Sequence, residues 1–494
     1  MRFIKKIDKL ILKYLIKKST KTQNIDKKLY YLDFAARFQF FSKDYRFSNY
    51  EIEKELCNIA KINSIILNNP KTNSFIHVYS NINSTGGHSL LIKNWLDINN
   101  SDNFSNHTII MLHKSNSLPK WIDEYKTKGI KFIDLSYYTD ILDKSLKLRQ
   151  IASEYSFVVL YTHMVDIVPI LAFGTEKFKS PILYYNHADH LFWLGASIAD
   201  IVIEFRNFGE RITQKYRNIY ETRIMPIPIS IKKPKITKIE ARKKLNFDVN
   251  VKILLSIASA YKYKYNKKYP MVDILINIVK EYKNVMVIFI GPDPSENYWK
   301  NISKKTNNKI KTLGSINYSN LYLYYSAADI YLDSFPTPSI TSTLEAILYG
   351  LPVVCMNTPL GHVDILNDIL VSNELEYLNR IKYLLQYKEK NDLYEKLEKE
   401  HLELGWKYKY LCLLDSLPVK HSVKIRHNVS IEEDIKYIHN AIRSGNRMLL
   451  IPIYFKKISI NIKLLSIFII LYKIDIKLLK YIFNKIICKM YYDK

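Results

Sequence analysis

Short, strongly apolar, β-rich runs recur along this chain, and segments long enough for a helix separate most of them. Between about residues 74 and 205 they read SFIHVYS, HTIIMLH, IKFIDLS, FVVLYTH, PILYYNH and DIVIEF. Runs that are apolar at consecutive rather than alternate positions suit parallel strands covered on both faces, and parallel strands need helical crossovers. The series pauses at RIMPIPISIKKPKITKIEARKKL, where three prolines and a run of lysines predict a linker. It restarts with KILLSIAS, VMVIFIGP, KIKTLGSI, DIYLDSF and PVVCM, with helical segments such as YPMVDILINIVKEYK between them. One architecture thus occurs twice, which predicts an α/β fold of two doubly wound, Rossmann-like domains facing each other across a cleft.

With 494 residues the chain suits two such domains plus extensions. The expected division is a basic helical N-terminal extension over 1–70, a first Rossmann-like domain over 71–235, a second over 236–395, and a helical, basic amphipathic C-terminal extension over 396–494. An excess of 74 Lys and Arg over 47 Asp and Glu gives a formal charge of +27, which favours anionic partners. Cys57, Cys355, Cys412 and Cys488 lie far apart, without the paired spacing of a zinc motif or disulfide framework, and this predicts a reducing, cytoplasmic setting.

The first residues, MRFIKKIDKLILKYLIKKSTK, place apolar side chains at helical spacing among lysines and do not read as a signal peptide. Such a helix either lies in an anionic membrane interface or packs on its own protein. Near the other end the uninterrupted apolar run reaches only from Leu464 to Tyr472, too short for a bilayer span of about 20 residues. Peripheral attachment at the inner membrane face is the expectation, rather than a transmembrane topology.

In doubly wound sheets ligands bind beyond the carboxyl ends of the strands, so residues just after the strand runs are the candidates. After SFIHVYS, Gly86 and Gly87 open a helix and allow close backbone approach to an anion or sugar oxygen; an ordinary turn is the plainer reading. His88 beside them suits a general base or a helix cap. YYNHADH brings His187, Asp189 and His190 together. A metal site would need further ligands that no spacing supplies, so an acid/base or acceptor-handling role is expected for His187 and Asp189, and no metal. After KILLSIAS come Lys262 and Lys264, either of which is placed to neutralise a diphosphate. In YLDSFPTPSITSTLEAILYG, Thr341, Ser342 and Thr343 form the first turn of a helix suited to phosphate oxygens. Glu345, one turn in, either complements the helix dipole or accepts two vicinal hydroxyls.

The run LGSINYSNLYLYYSAADIYLDSFPTPSITSTLEAILYGLPVV resembles the donor-binding half of GT-B glycosyltransferases. It is similar both to the family 4 retaining enzymes and to the family containing O-linked N-acetylglucosamine transferase, and the likeness extends over roughly residues 74–395. Family 4 enzymes carry two glutamates eight positions apart; the second falls on Glu345 and the first on Thr337, which breaks the pair. The other family has a hydroxyl pair ahead of one ribose-binding acid, matching Thr341, Ser342 and Glu345. Its lysine falls on Lys262, whereas the family 4 lysine falls on Lys264, so retention or inversion stays open.

This resemblance implies a GT-B glycosyltransferase: an N-terminal acceptor domain, a C-terminal nucleotide-sugar domain, Glu345 on ribose and Thr341 to Thr343 with a lysine on the diphosphate. It further implies a UDP-sugar donor as substrate with no cofactor, and a glycan or lipid-linked glycan acceptor in bacterial surface polysaccharide assembly. No Asp-x-Asp triplet occurs, which disfavours the metal-chelating GT-A mechanism. Two rivals are a sugar-nucleotide 2-epimerase of the same shape and a basic nucleic-acid-binding protein. The second would cluster its charge on one face among stacking aromatics, whereas the lysines here spread over linker, ends and helix surfaces.

Overall fold

The computed structural model describes residues 2–42, 44, 46–62, 70–83, 87–98, 106–115, 117–230, 234–263, 270–387 and 392–429. Three helices, Arg2–Lys21, Ile25–Phe41 and Tyr50–Ile62, precede the first strand. Seven strands then build the first sheet: β1 (Lys71–Tyr79), β2 (His107–Met111), β3 (Lys131–Asp134), β4 (Tyr155–Tyr161), β5 (Ile182–Tyr185), β6 (Ile201–Glu204) and β7 (Thr222–Ile224). Six more build the second: β8 (Lys252–Ile257), β9 (Val285–Ile290), β10 (Ile310–Thr312), β11 (Ile330–Leu332), β12 (Val353–Met356) and β13 (Leu370–Val371).

The strand orders are β3-β2-β1-β4-β5-β6-β7 and β10-β9-β8-β11-β12-β13. Every pairing is parallel; Val78 of β1, for example, lies between Ile110 of β2 and Leu160 of β4. Helices cover both faces, so β2, β5, β6 and β12 are buried along their whole length, as their unbroken apolar sequences require. This is the pair of doubly wound domains that the strand series predicts. The proline-rich stretch expected to be a linker departs from expectation at both ends. It begins in β7, and it contains the helix Lys238–Lys244, whose capping box joins Thr237 and Glu240.

The N-terminal helix packs on its own protein along one side, burying Leu12 and Leu15. Its other side exposes Leu10, Tyr14 and several lysines. Glu53, fully buried, accepts hydrogen bonds from the backbone N–H groups of Gly195, Ala196 and Ser197 and ties the third helix to the first domain.

The helix Glu403–Asp415 returns from the second domain to the first. It lays Trp406 and Tyr410 on Trp95 at ring separations of 5.6 and 5.2 Å, and the Trp406 indole donates to the Pro226 carbonyl. Below them Tyr79, Tyr161 and Tyr185 stack at 4.5 and 5.0 Å, so these tyrosines are core. Beyond that helix, the His421 ring contacts Asp200 and the Phe173 carbonyl of the first domain. The apolar run 464–472 and the rest of the C-terminal amphipathic segment lie outside the described residues.

Candidate functional site

The carboxyl ends of the two sheets meet at a cleft of about 210 Å³. From the first domain it is lined by Leu91, His187, Asp189, His190, Phe205, Arg206 and Ile227; from the second by Tyr261, Lys262, Thr337, Pro338, Ser339, Ile340, Thr341 and Leu360. Residues that follow β5, β6, β8 and β11 therefore converge on one place, as doubly wound sheets dictate.

Two cations face this space. Lys262, in the short 3-10 turn after β8, reaches across to donate from Nζ to the Pro338 carbonyl at 2.6 Å. Burial pushes its ammonium down to about 8, with Asp333 pulling the other way and Arg206 adding to the depression. Arg206 follows β6 directly. Its Nε and Nη2 donate to the two Asp189 oxygens at 2.7 and 3.0 Å, and Nη1 crosses the cleft to the Gly361 carbonyl at 2.8 Å. Its guanidinium also lies 4.8 Å from the Phe208 ring. Gly361 has φ +61°, and a Cβ there would meet Phe208 at 3.2 Å, so this crossing point favours glycine.

Asp189 is committed to this arrangement. Besides Arg206 it accepts from His190 Nδ1 at 3.0 Å. Burial alone would raise its carboxyl, but Arg206 and His190 more than offset this and hold it well below the usual carboxylate range. His187 borders the cleft with its imidazole pushed down to about 4 by burial, with His163 as a smaller cause, so it is neutral near pH 7. His190 is also lowered, first by burial. Behind Asp189, the fully buried Glu204 is raised to about 8 by burial and by Asp189, and so keeps a proton near neutrality.

The helix Thr341–Leu348 starts at the cleft wall, with Thr341 lining the cleft and Ile340 in the capping position, where no side chain satisfies the first turn. Ser342 and Thr343 sit in that turn but away from the cleft lining. Thr343 is buried, with its hydroxyl 3.5 Å from Ser339 Oγ. Glu345 is also buried behind the wall. Each of its oxygens accepts a tyrosine hydroxyl at 2.8 Å, Oε1 from Tyr318 and Oε2 from Tyr325. Burial pushes its carboxyl up to about 6, against the opposing effect of the two hydroxyls. Tyr325 is enclosed and stacks on Tyr349, whereas Tyr318 keeps about a third of its surface exposed, so Oε1 is the side from which a ligand can reach the carboxylate.

Of the residues singled out in the sequence, His187, Asp189, Lys262 and Thr341 line the cleft together. Gly87 and His88 begin the helix Gly87–Ile98, whose Leu91 also lines it. Gly86 and Lys264 lie outside the described residues. Arg206, Tyr318 and Tyr325 were not anticipated. Arg206 had a signal, since it directly follows the strand run DIVIEF, but the tyrosines approach Glu345 from a separate segment.

Residues 237–399 match the family model described as Glycosyl transferases group 1. Similar solved structures include Anabaena Alr3699/HepE in complex with UDP and glucose, at 15% identity and TM-score 0.53, covering 70% of this chain and 100% of that chain. The same protein in complex with UDP-glucose aligns at 15% identity and TM-score 0.53, over 69% of this chain and 100% of that one. Sucrose-phosphate synthase from Thermosynechococcus elongatus aligns at 14% identity and TM-score 0.49, over 69% and 98%. No curated protein matches this chain by sequence.

Proposed function

We propose that this chain, a GT-B glycosyltransferase with a group 1 domain over residues 237–399, transfers a sugar from a UDP-sugar to a glycan or lipid-linked glycan, as in bacterial surface polysaccharide assembly. The observation that carries this reading is the convergence on one interdomain cleft of Lys262, Arg206 and the start of the helix Thr341–Leu348, with the Glu345 carboxylate one turn behind. A helix start and two cations match the charge that develops on a departing nucleoside diphosphate, and they act strongest where water is excluded. The start of the helix, with Thr341 at the cleft, takes phosphate oxygens, while Lys262 gives up the Pro338 carbonyl for the diphosphate. Glu345 accepts the ribose hydroxyls once Tyr318 turns aside.

On the other wall, His187 is neutral at working pH and so able to accept the proton of an incoming hydroxyl. Asp189 positions Arg206 and His190. Lys262 and the helix start face the diphosphate in this scheme, and Arg206, paired to Asp189, holds the wall beside them. The complexes of Anabaena Alr3699/HepE with UDP and with UDP-glucose, in a protein of similar fold, support UDP as the nucleotide.

No helix among the described residues is long and apolar enough to cross a membrane. The outward side of the helix Arg2–Lys21, with Lys9, Lys13 and Lys17 around exposed Leu10 and Tyr14, suits an anionic membrane surface and favours a lipid-linked acceptor at the inner face.

The test is incubation of the purified protein with a panel of UDP-hexoses and lipid-linked glycan acceptors, following UDP release and glycan mass. Acceptor-dependent UDP release with a glycan one sugar heavier is expected. An epimerised sugar nucleotide, with no heavier glycan, would replace transfer by epimerisation.

A further inference from the structure

Directly behind the loops that wall the cleft, the second domain encloses a group of polar atoms that its own hydrogen bonds leave incomplete. Asp333 follows β11, Cys355 lies in β12 and His362 lies in the turn after it; all three are almost wholly buried. Asp333 Oδ1 accepts the Ser334 and Ser339 backbone N–H groups at 2.8 Å each and the Ser339 hydroxyl at 2.6 Å, but Oδ2 has no hydrogen-bond partner. His362 Nε2 lies 2.8 Å from the Met356 carbonyl, which can only accept, so the proton of a neutral ring sits on Nε2. Its Nδ1 lone pair then points to Asp333 Oδ2 at 3.3 Å and makes no hydrogen bond. Two electron-rich atoms this close, away from water, require a positive charge between them.

A proton would serve Asp333 and His362 alone. Cys355 Sγ completes a trio of ligand atoms all within 4.8 Å of one another. The Tyr377 hydroxyl, buried without a partner, lies within electrostatic reach of both Cys355 and Asp333. An ion about 2.0–2.3 Å from each ligand atom fits such a trio after small side-chain adjustments. The Met356 carbonyl behind His362 is the outer-shell partner that fixes a ligating imidazole's tautomer. A sulfur, a nitrogen and an oxygen together favour a borderline-soft divalent ion over magnesium or calcium.

We propose that Asp333, Cys355 and His362 form a buried site for such a cation, zinc by preference, with a water or the Tyr377 hydroxyl in the fourth position. None of the three lines the cleft, so the ion is structural. It staples the loop 333–340, whose Thr337, Pro338 and Ser339 line the cleft, to the turn 357–362, whose Leu360 lines it and whose Gly361 carbonyl holds Arg206. The cleft wall would thereby be held rigid by an ion outside the reaction.

The experiment is metal analysis of the full chain purified without chelator, followed by stripping and titration with Co²⁺ and Zn²⁺, in the wild type and in Cys355→Ser and His362→Gln. About one zinc per chain is expected, with a thiolate-to-cobalt charge-transfer band that Cys355→Ser abolishes. His362→Gln should weaken Co²⁺ binding at least tenfold, in line with the loss of a ligand. The wild-type cobalt spectrum and the change in Tm on stripping stand even if a variant fails to fold. A metal-free protein whose Tm ignores both chelator and zinc would overturn the site in favour of a protonated Asp333–His362 pair. A band that survives in Cys355→Ser would equally overturn it.

Discussion

Asp189→Asn separates a carboxylate that holds the cleft together from one that reacts with substrate. In the structure both Asp189 oxygens engage the Arg206 fork at 2.7 and 3.0 Å, and the side chains of the pair are 7% and 2% exposed. The Asp189 backbone carbonyl also receives Arg217 Nη2 at 2.9 Å. Removing the charge leaves the buried guanidinium with a neutral amide oxygen, the Gly361 carbonyl and the Phe208 ring in place of a carboxylate. Breaking a buried ion pair in this way costs about 3–5 kcal/mol. For a domain of this size that is roughly 6–20 °C in Tm. Calorimetric unfolding of Asp189→Asn, Arg206→Met and the double variant Asp189→Asn/Arg206→Met measures the pair directly. Each single change should cost several kcal/mol, and the double change should cost less than their sum by at least about 2 kcal/mol. If Asp189→Asn unfolds within about 1 kcal/mol of the wild type while kcat falls a hundredfold, the carboxylate acts on substrate and the positioning argument is wrong.

Two further outcomes follow from the donor side. UDP affinity should be greatest between pH about 6 and about 8: below that window Glu345, whose carboxyl burial raises to about 6, gains a proton and accepts less, and above it Lys262, lowered to about 8 by burial, loses its charge. A flat titration profile across pH 5 to 9 would remove both residues from the nucleotide site. Tyr318→Phe deletes the hydroxyl that occupies Glu345 Oε1 and should tighten UDP binding a few-fold, because the ribose then displaces nothing; weaker binding would instead make Tyr318 part of the nucleotide's own contacts.

The fold was legible wherever the sheet was buried on both sides, because runs such as FVVLYTH and VMVIFIGP have no other economical explanation. It was illegible where strands were short. β7 has three residues and β13 two, and β7 hides at the start of a proline-rich stretch that reads as linker. The return of Trp406 and Tyr410 onto Trp95 joins residues more than three hundred positions apart, and no local pattern announces such packing.

Strand-end logic points to His187, Lys262 and Thr341, which line the cleft, and the same logic points to Arg206, one residue past DIVIEF. It could not show that Asp189 is saturated by Arg206, or that Tyr318 and Tyr325 cover Glu345. Those are pairings between side chains that only the folded chain brings together. The cysteines show no zinc motif by spacing, and Asp333, Cys355 and His362 come from separate elements, so their meeting in the fold leaves no spacing to read.

The most direct measurement of the central claim is calorimetric titration of UDP into the wild type, Glu345→Ala and Lys262→Met, with GDP, CMP and dTDP as controls. UDP is expected to bind the wild type, and each substitution to weaken binding by more than tenfold, about 1.4 kcal/mol. UDP binding that is absent from the wild type, or equal in all three proteins, would contradict that claim.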